Sequence, residues 1–400
     1  MSQTDQERHT DPTEWEWGKA YCSIVGHYCP NPPPAAPQPR SIFLAYSSEN
    51  PIPDNMHRFQ SRCPRLSATA LSWETLRGTS SVIFCDVCAA MYSSEVTACE
   101  ITDMNQNVLF EFGFALGKGR RTLLLRDVGS KEKRLQFLSD VREVRYENVD
   151  QIVSALGHSD PFQEPPLSAS LLRSAIDADD PWSGRADRVR VLYVRGASRS
   201  EAAMSIQKSL DKAARHRKFD IRVDDPNEDF SHQLYYLYRL IHGSHIVIAN
   251  LAPTPAKRRD EINARACLLS GIALALGKHV VMFQQTPADH LIDMQGILKE
   301  YANASQAEHL AKEALSLVSK VEESLSDTAA RGASLARPRR ALKRPIDRVA
   351  FGNAAAENES DQLAAYFLET PVYNAAINGS RTLFAGRRGS GKTATCLRHS

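Results

Sequence analysis

The sequence predicts an α/β protein: two tandem parallel-sheet units, followed by the opening of a nucleotide-binding domain. Three observations predict it. Short apolar runs alternate with helical patterns, the signature of strands joined by crossover helices. One such pattern occurs twice: GFALGKGRRTLLL (Gly113 to Leu125) aligns without a gap with GIALALGKHVVMF (Gly271 to Phe283) at an offset of 158 residues. The last block of the chain places a glycine-rich loop between a strand and a helix-compatible segment.

Taken in order, residues 1–40 read as an extension ending in PNPPPAAPQP (Pro30 to Pro39), whose six prolines favour a stiff polyproline spacer. The first unit spans 41–155. SIFLAY (Ser41 to Tyr46) is its first strand, helical patterning follows around Leu71 to Leu76, and SVIFCDV (Ser81 to Val87) reads as a second strand from its β-branched residues. NVLFEFGFALGKG (Asn107 to Gly119) reads as a helix ending in glycine, and TLLL (Thr122 to Leu125) as the next strand. A Pro-, Ser- and Asp-rich linker covers 156–187. The second unit, 188–327, opens on the strand RVRVLYV (Arg188 to Val194). HIVIANL (His245 to Leu251) then aligns with SVIFCDV at an offset of 164, which gives the second copy six fewer residues before its helix. Gln306 to Asp327 places Leu310, Leu317, Val321 and Leu325 at helical spacing. Residues 328–350 form a basic linker, with seven arginines and lysines from Arg331 to Arg348 against Asp347 alone. A solvated linker is the plain reading, and a nucleic-acid or phosphate contact the sharper one.

Composition narrows the function classes. Four hundred residues suit two or three domains. With 49 basic against 47 acidic residues the net charge of +2 gives no global reason for a nucleic-acid or membrane partner. No run approaches the length needed to span a bilayer, and the polar start MSQTDQERHTDPTEWEW lacks a signal region, so a cytoplasmic location is expected.

In SRTLFAGRRGSGKTATCLRHS, Gly386, Gly391, Lys392 and Thr393 fit the phosphate-loop pattern after the strand Thr382 to Ala385. The glycines, Gly389 among them, let backbone amides face phosphates; Lys392 supplies a point charge and the Thr393 hydroxyl can ligate magnesium. ATP with magnesium is the expected ligand. The chain stops seven residues after Thr393, so the sequence is expected to be a truncated product or the N-terminal part of a longer protein, with residues 351–400 opening the domain. From Phe351 onward, the FG start, acidic stretch, Tyr366-Phe367 and the G-R-x-G-S-G-K-T loop resemble the entry into bacterial P-loop ATPases associated with phage-defence-type operons.

Ligands of open parallel sheets sit beyond the carboxyl ends of the strands. Ser47, Ser48 and Glu49 follow the first predicted strand, Asp86 ends the second, and Thr102, Asp103, Asn105 and Asn107 lead into the helix carrying Glu111. A carboxylate between Phe110 and Phe112, near a helix N-terminus, is a candidate nucleophile or electrostatic stabiliser at a sugar C1. The alternative is a helix glutamate satisfying free amides, with Asn107 as cap. The string DMNQNVLFEFGFALGKG resembles the N-x-N-V-x-[FY]-E-x-G-x-A-x-G signature of TIR-like and nucleoside 2-deoxyribosyltransferase-like domains, over about residues 41–128. The resemblance implies flavodoxin-like units and cleavage or exchange of the N-glycosidic bond of NAD or a nucleoside. It also implies Glu111 as the catalytic carboxylate, with Asp86, Asn105, Asn107 and Ser47 near the ribose. The sequence departs from the pattern in the segment from Cys88 to Thr102, which reads as a longer loop. Leu269 and Ser270 stand where Glu111 and Phe112 stand, so the second unit is expected to be inert; Asn250 and Asn263, aligned with Asp86 and Asn105, leave open a binding role.

Of eight cysteines, Cys85 and Cys88 have zinc-knuckle spacing and Cys22 and Cys29 flank His27. The strand context read for Cys85 argues for a buried thiol, and no metal site is expected. The leading expectation is a defence-type protein in which ATP binding gates a TIR-like effector and which assembles as a homo-oligomer. The rivals are a non-enzymatic nucleotide sensor and an assembly scaffold.

Overall fold

The structure, a computed structural model, describes residues 36–335 except 77–82, 130–134, 177–181, 183–187, 197–199, 217–218, 226–232, 254–257, 288–293 and 295, together with 21–22 and 27–28. The phosphate-loop residues Gly386, Gly389, Gly391, Lys392 and Thr393 and the linker from 336 on lie outside the described residues.

A two-stranded antiparallel pair, β1 (Tyr21–Cys22) and β2 (His27–Tyr28), precedes the first unit. That unit runs β3 (Gln38–Ala45), α1 (Ile52–Arg62), β4 (Thr69–Ser72), α2 (Ile83–Ser93), β5 (Ser94–Glu100), α3 (Gln106–Gly117), β6 (Arg121–Asp127), β7 (Val144–Tyr146) and α4 (Val149–His158), with α5 (Leu167–Ile176) behind it. The second repeats the scheme: β8 (Arg190–Val194), α6 (Glu201–His216), β9 (Asp220–Asp224), α7 (Leu234–Gly243), β10 (Ile246–Asn250), α8 (Arg259–Ala275), β11 (His279–Gln285), β12 (Leu298–Tyr301) and α9 (Ala304–Leu335). Both sheets are parallel throughout and five-stranded, ordered β4-β3-β5-β6-β7 and β9-β8-β10-β11-β12. By position within each unit this is the order 2-1-3-4-5, the flavodoxin-like arrangement.

The described residues of both units belong to one compact body, and their helices are shared out between two kinds of layer. On the first sheet, Ile42, Leu44, Val96 and Ala98 face α1 and α4, while Phe43, Ala45, Cys99 and Leu124 face α2 and α3. On the second, Val191, Tyr193, Ile246 and Ile248 face α6 and α9, and Leu192, Val194, Val247 and Ala249 face α7 and α8. The inner faces share one core, so α2, α3, α7 and α8 lie between the sheets.

The seam is α3 against α8, and glycine makes it possible. A Cβ on Gly113 would stand 2.2 Å from Leu268 O, and one on Gly271 would stand 2.1 Å from Phe110 O. One turn on, a Cβ on Gly117 would stand 2.6 Å from Ala275 Cβ. Gly113-x-x-x-Gly117 and Gly271-x-x-x-Ala275 therefore form matching notches that bring the backbones into contact, and the repeated segment is the pseudo-symmetric interface itself. A cross-unit cap adds to it: Asp140 of the first unit accepts from the Leu234 and Tyr235 amides at the start of α7, each at 3.1 Å.

Several expectations are corrected. SVIFCDV is not a strand: α2 begins at Ile83, and Phe84, Val87, Cys88 and Met91 bury one stripe at helical spacing. The central strand is SEVTACE, which is β5. The apparent long loop from Cys88 to Thr102 is therefore the rest of that helix and this strand. Leu71 lies in β4 and a 3-10 turn covers Trp73–Leu76. The linker 156–187 contains α5, and α9 continues to Leu335, into the predicted basic linker.

Candidate functional site

The order 2-1-3-4-5 reverses between β3 and β5, so the carboxyl ends of these strands flank the crevice where such sheets bind ligands. Ala45 pairs with Cys99 at that edge. Tyr46 and Ser47 leave β3 there, both buried, and the Ser47 hydroxyl accepts from the Glu49 amide at 3.1 Å.

Glu100, the last residue of β5, is fully buried. It accepts from the Thr102 hydroxyl, from the Thr102 amide at 3.2 Å and from the Tyr146 hydroxyl at 3.1 Å. The Thr102 hydroxyl in turn accepts from the Asp127 amide at 2.8 Å, which ties the end of β6 into the network. Burial dominates and pushes Glu100 up to about 7, against the opposing pull of the Thr102 and Tyr146 hydrogen bonds. Tyr146 is raised as well, by burial and then by the Glu100 charge.

Glu111 is the sixth residue of α3 and 5% exposed. The thiol of Cys99 is held well above its usual range, first by burial and then by the charge of Glu111, which places that carboxylate beside β5 on the face opposite Glu100's partner Tyr146. Asn105, not Asn107, caps α3: its Oδ1 accepts from the Asn107 amide at 3.0 Å and from the Val108 amide at 3.2 Å. Asn107 Oδ1 is buried and has no hydrogen-bond partner among the described residues. Asp86 does not end a strand. It sits in the first turn of α2, and because a crossover helix runs antiparallel to its strands, that turn still belongs to the carboxyl edge.

The duplicate supplies the counterpart of each group. Tyr301 donates to Asn250 Oδ1 at 3.1 Å as Tyr146 donates to Glu100, and both residues end the central strand, so Asn250 corresponds to Glu100 and not to Asp86. The spacing correction follows: from this strand end to the shared helix the second unit has eight more residues, not six fewer, and α8 starts earlier than α3. Leu269 takes the place of Glu111, and Ala249 that of Cys99. Arg265 takes the place of Asn107 and, 1% exposed, forms a two-pronged ion pair with buried Asp224, with Nε 3.1 Å from Oδ2. Arg195 and Asp225 pair at 2.5 Å beside it. Asn263, which the sequence left open for binding, holds the Ala252 amide at 2.7 Å and donates to its carbonyl oxygen at 3.2 Å.

Cys85 and Cys88 lie in α2, where a helix does begin near the pair, contrary to the strand reading. Among the described residues no group of three His, Cys, Asp or Glu side chains is placed to hold a metal ion, and no helix is long and apolar enough to cross a membrane. Glu100 and the pair His57–Glu74 escaped the sequence reading. Glu100 was hidden by assigning the strand to SVIFCDV. Compared with known proteins, the chain matches no protein-family model and no curated protein.

Proposed function

We propose that the first unit binds a nucleoside or NAD at the carboxyl edge of β3 and β5 and cleaves or exchanges its N-glycosidic bond. Glu111 faces the developing charge at C1 as nucleophile or electrostatic stabiliser. In so dry a setting a carboxylate acts on a nearby cation far more strongly than in water. Ser47, Asp86, Asn105 and Asn107 stand around the ribose in this reading, Asn107 offering its unpaired Oδ1 and Asn105 acting through the cap it makes. ATP with magnesium at Gly386, Gly389, Gly391, Lys392 and Thr393 gates the effector in a cytoplasmic, defence-type homo-oligomer.

The observation that carries the reading is the difference between the copies. A buried carboxylate is costly, and the second unit keeps the same sheet, seam and tyrosine contact with Asn250 and Leu269 in place of Glu100 and Glu111. The fold does not require either carboxylate, so a role in chemistry accounts for keeping both. A second reading, binding without turnover, is favoured by the commitment of Asn105 to the cap. The two separate on base release from NAD and nucleosides, with and without ATP: turnover that Glu111→Gln abolishes supports the enzyme, and binding without turnover supports the sensor.

A further inference from the structure

Beside this crevice stands a group of side chains with no part in the reading above. Tyr46 is the first residue after β3, Glu74 the second after β4, and His57 lies on α1, the helix that joins those strands. His57 Nε2 is 2.7 Å from Glu74 Oε2 and 3.4 Å from the Tyr46 hydroxyl. The Tyr46 ring meets the imidazole edge-on at 6.2 Å and the Trp73 ring at 6.0 Å. An ionised carboxylate only accepts, so the short contact puts a proton on Nε2 and leaves Nδ1 as the nitrogen open to an outside partner. The side chain is 48% exposed, and that of Glu74 is 29% exposed.

The fold places this pair at the carboxyl edge of the sheet, beside the ends of β3 and β4. The helices after β3 and β5 pack on opposite faces of the sheet and flank the switch point between those strands. His57 is the sixth residue of α1 and Glu111 the sixth of α3, on helices that pack on opposite faces of the sheet. In the second unit the residues matching Tyr46 and Glu74 through the sheet register, Arg195 and Asp225, close on each other.

We propose that His57, held by Glu74, donates the proton to the departing base, and that the site therefore takes neutral nucleosides in preference to NAD. This rests on the N-glycosidic reading. As the bond from C1 to the base nitrogen breaks, its electron pair goes to that nitrogen, which takes the proton from Nδ1 of the imidazolium. Positive charge develops at C1 opposite Glu111, water adds there, and the proton it releases restores the imidazolium. The sum is nucleoside plus water giving sugar plus base. A neutral nucleoside would otherwise expel an anionic base, whereas the pyridinium of NAD leaves as neutral nicotinamide and needs no proton.

The test compares inosine, 4-nitrophenyl riboside, whose leaving group needs no acid, and NAD. His57→Gln should lower kcat/KM for inosine about 100-fold and leave the nitrophenyl riboside within about threefold; Glu74→Gln should do the same more weakly, and Glu111→Gln should lower both. His57 is half-exposed, so an unchanged unfolding midpoint should accompany the loss. Equal losses on both ribosides, an unaffected inosine rate, or wild-type preference for NAD would overturn the proposal while leaving the N-glycosidic reading standing. A wild-type protein that turns over none of the three overturns both.

Discussion

The two α/β units of this protein are built alike and furnished differently. Each has five parallel strands in the same order, a tyrosine from the fifth strand bound to the end of the third, and a glycine notch that seats its helix on the other's. At the carboxyl edge they part. The first carries Glu100, Glu111 and the pair His57–Glu74; the second carries Asn250, Leu269 and the ion pairs Arg265–Asp224 and Arg195–Asp225. Arginine locked in a two-pronged buried pair offers a ligand little, since breaking such a pair leaves a charge uncompensated. The contrast separates what the fold needs, which both copies share, from what one copy adds.

The shared part is tested most severely at the seam. Gly113→Ala and Gly271→Ala should each lower stability by about 3 kcal/mol, because each new methyl meets backbone that cannot yield. Gly157→Ala, inside α4 with nothing within 4 Å, is the unhindered control and should stabilise by up to about 1 kcal/mol. A large cost at one glycine and a small one at the other, read from urea midpoints, would break the equivalence of the notches.

The added part should show in the dependence of stability on pH. Glu100 is raised from 4.5 to about 7 in the folded state, so the native protein holds this proton more tightly than the unfolded chain. The stability it contributes is complete below about 4.5 and is lost as pH rises through about 7, a swing of up to about 3 kcal/mol. Glu100→Gln should flatten that part of the profile, and Asn250→Glu should build a matching slope into the second unit. An unchanged profile in Glu100→Gln would place the titration elsewhere. The smallest expected effect is Asp140→Ala, about 1 kcal/mol from the lost cap on α7, seen as earlier hydrogen exchange at Leu234 and Tyr235.

Much of this was legible from residues alone. The repeat is local and apolar: α3, α8, β6 and β11 each announce themselves by their own periodicity, and the alignment of Gly113 with Gly271 marks the seam. The central strand was not legible. SEVTACE looks polar because Thr97 and Glu100 are buried, and the partners that satisfy Glu100 include Tyr146, 46 residues away. SVIFCDV looked like a strand because four apolar residues in a row fit either period. Only the wider spacing of Phe84, Val87, Cys88 and Met91 distinguishes the helix. Reading that helix as a strand hid Glu100 at the end of β5 and misaligned the copies. The helix that carries Glu111 is legible from its own periodicity, whereas the contacts among His57, Glu74 and Tyr46 join three elements and leave no mark on any one of them.

The claim that chemistry resides in the first unit alone is tested most directly by base release from nucleosides and NAD in three proteins: wild type, Glu111→Gln and Ser270→Ala. The last is a buried second-unit change beside the counterpart of Glu111. Loss of about 100-fold or more in Glu111→Gln, with ligand affinity kept within a few-fold and Ser270→Ala at the wild-type rate, is the predicted result. Equal turnover in wild type and Glu111→Gln would contradict it.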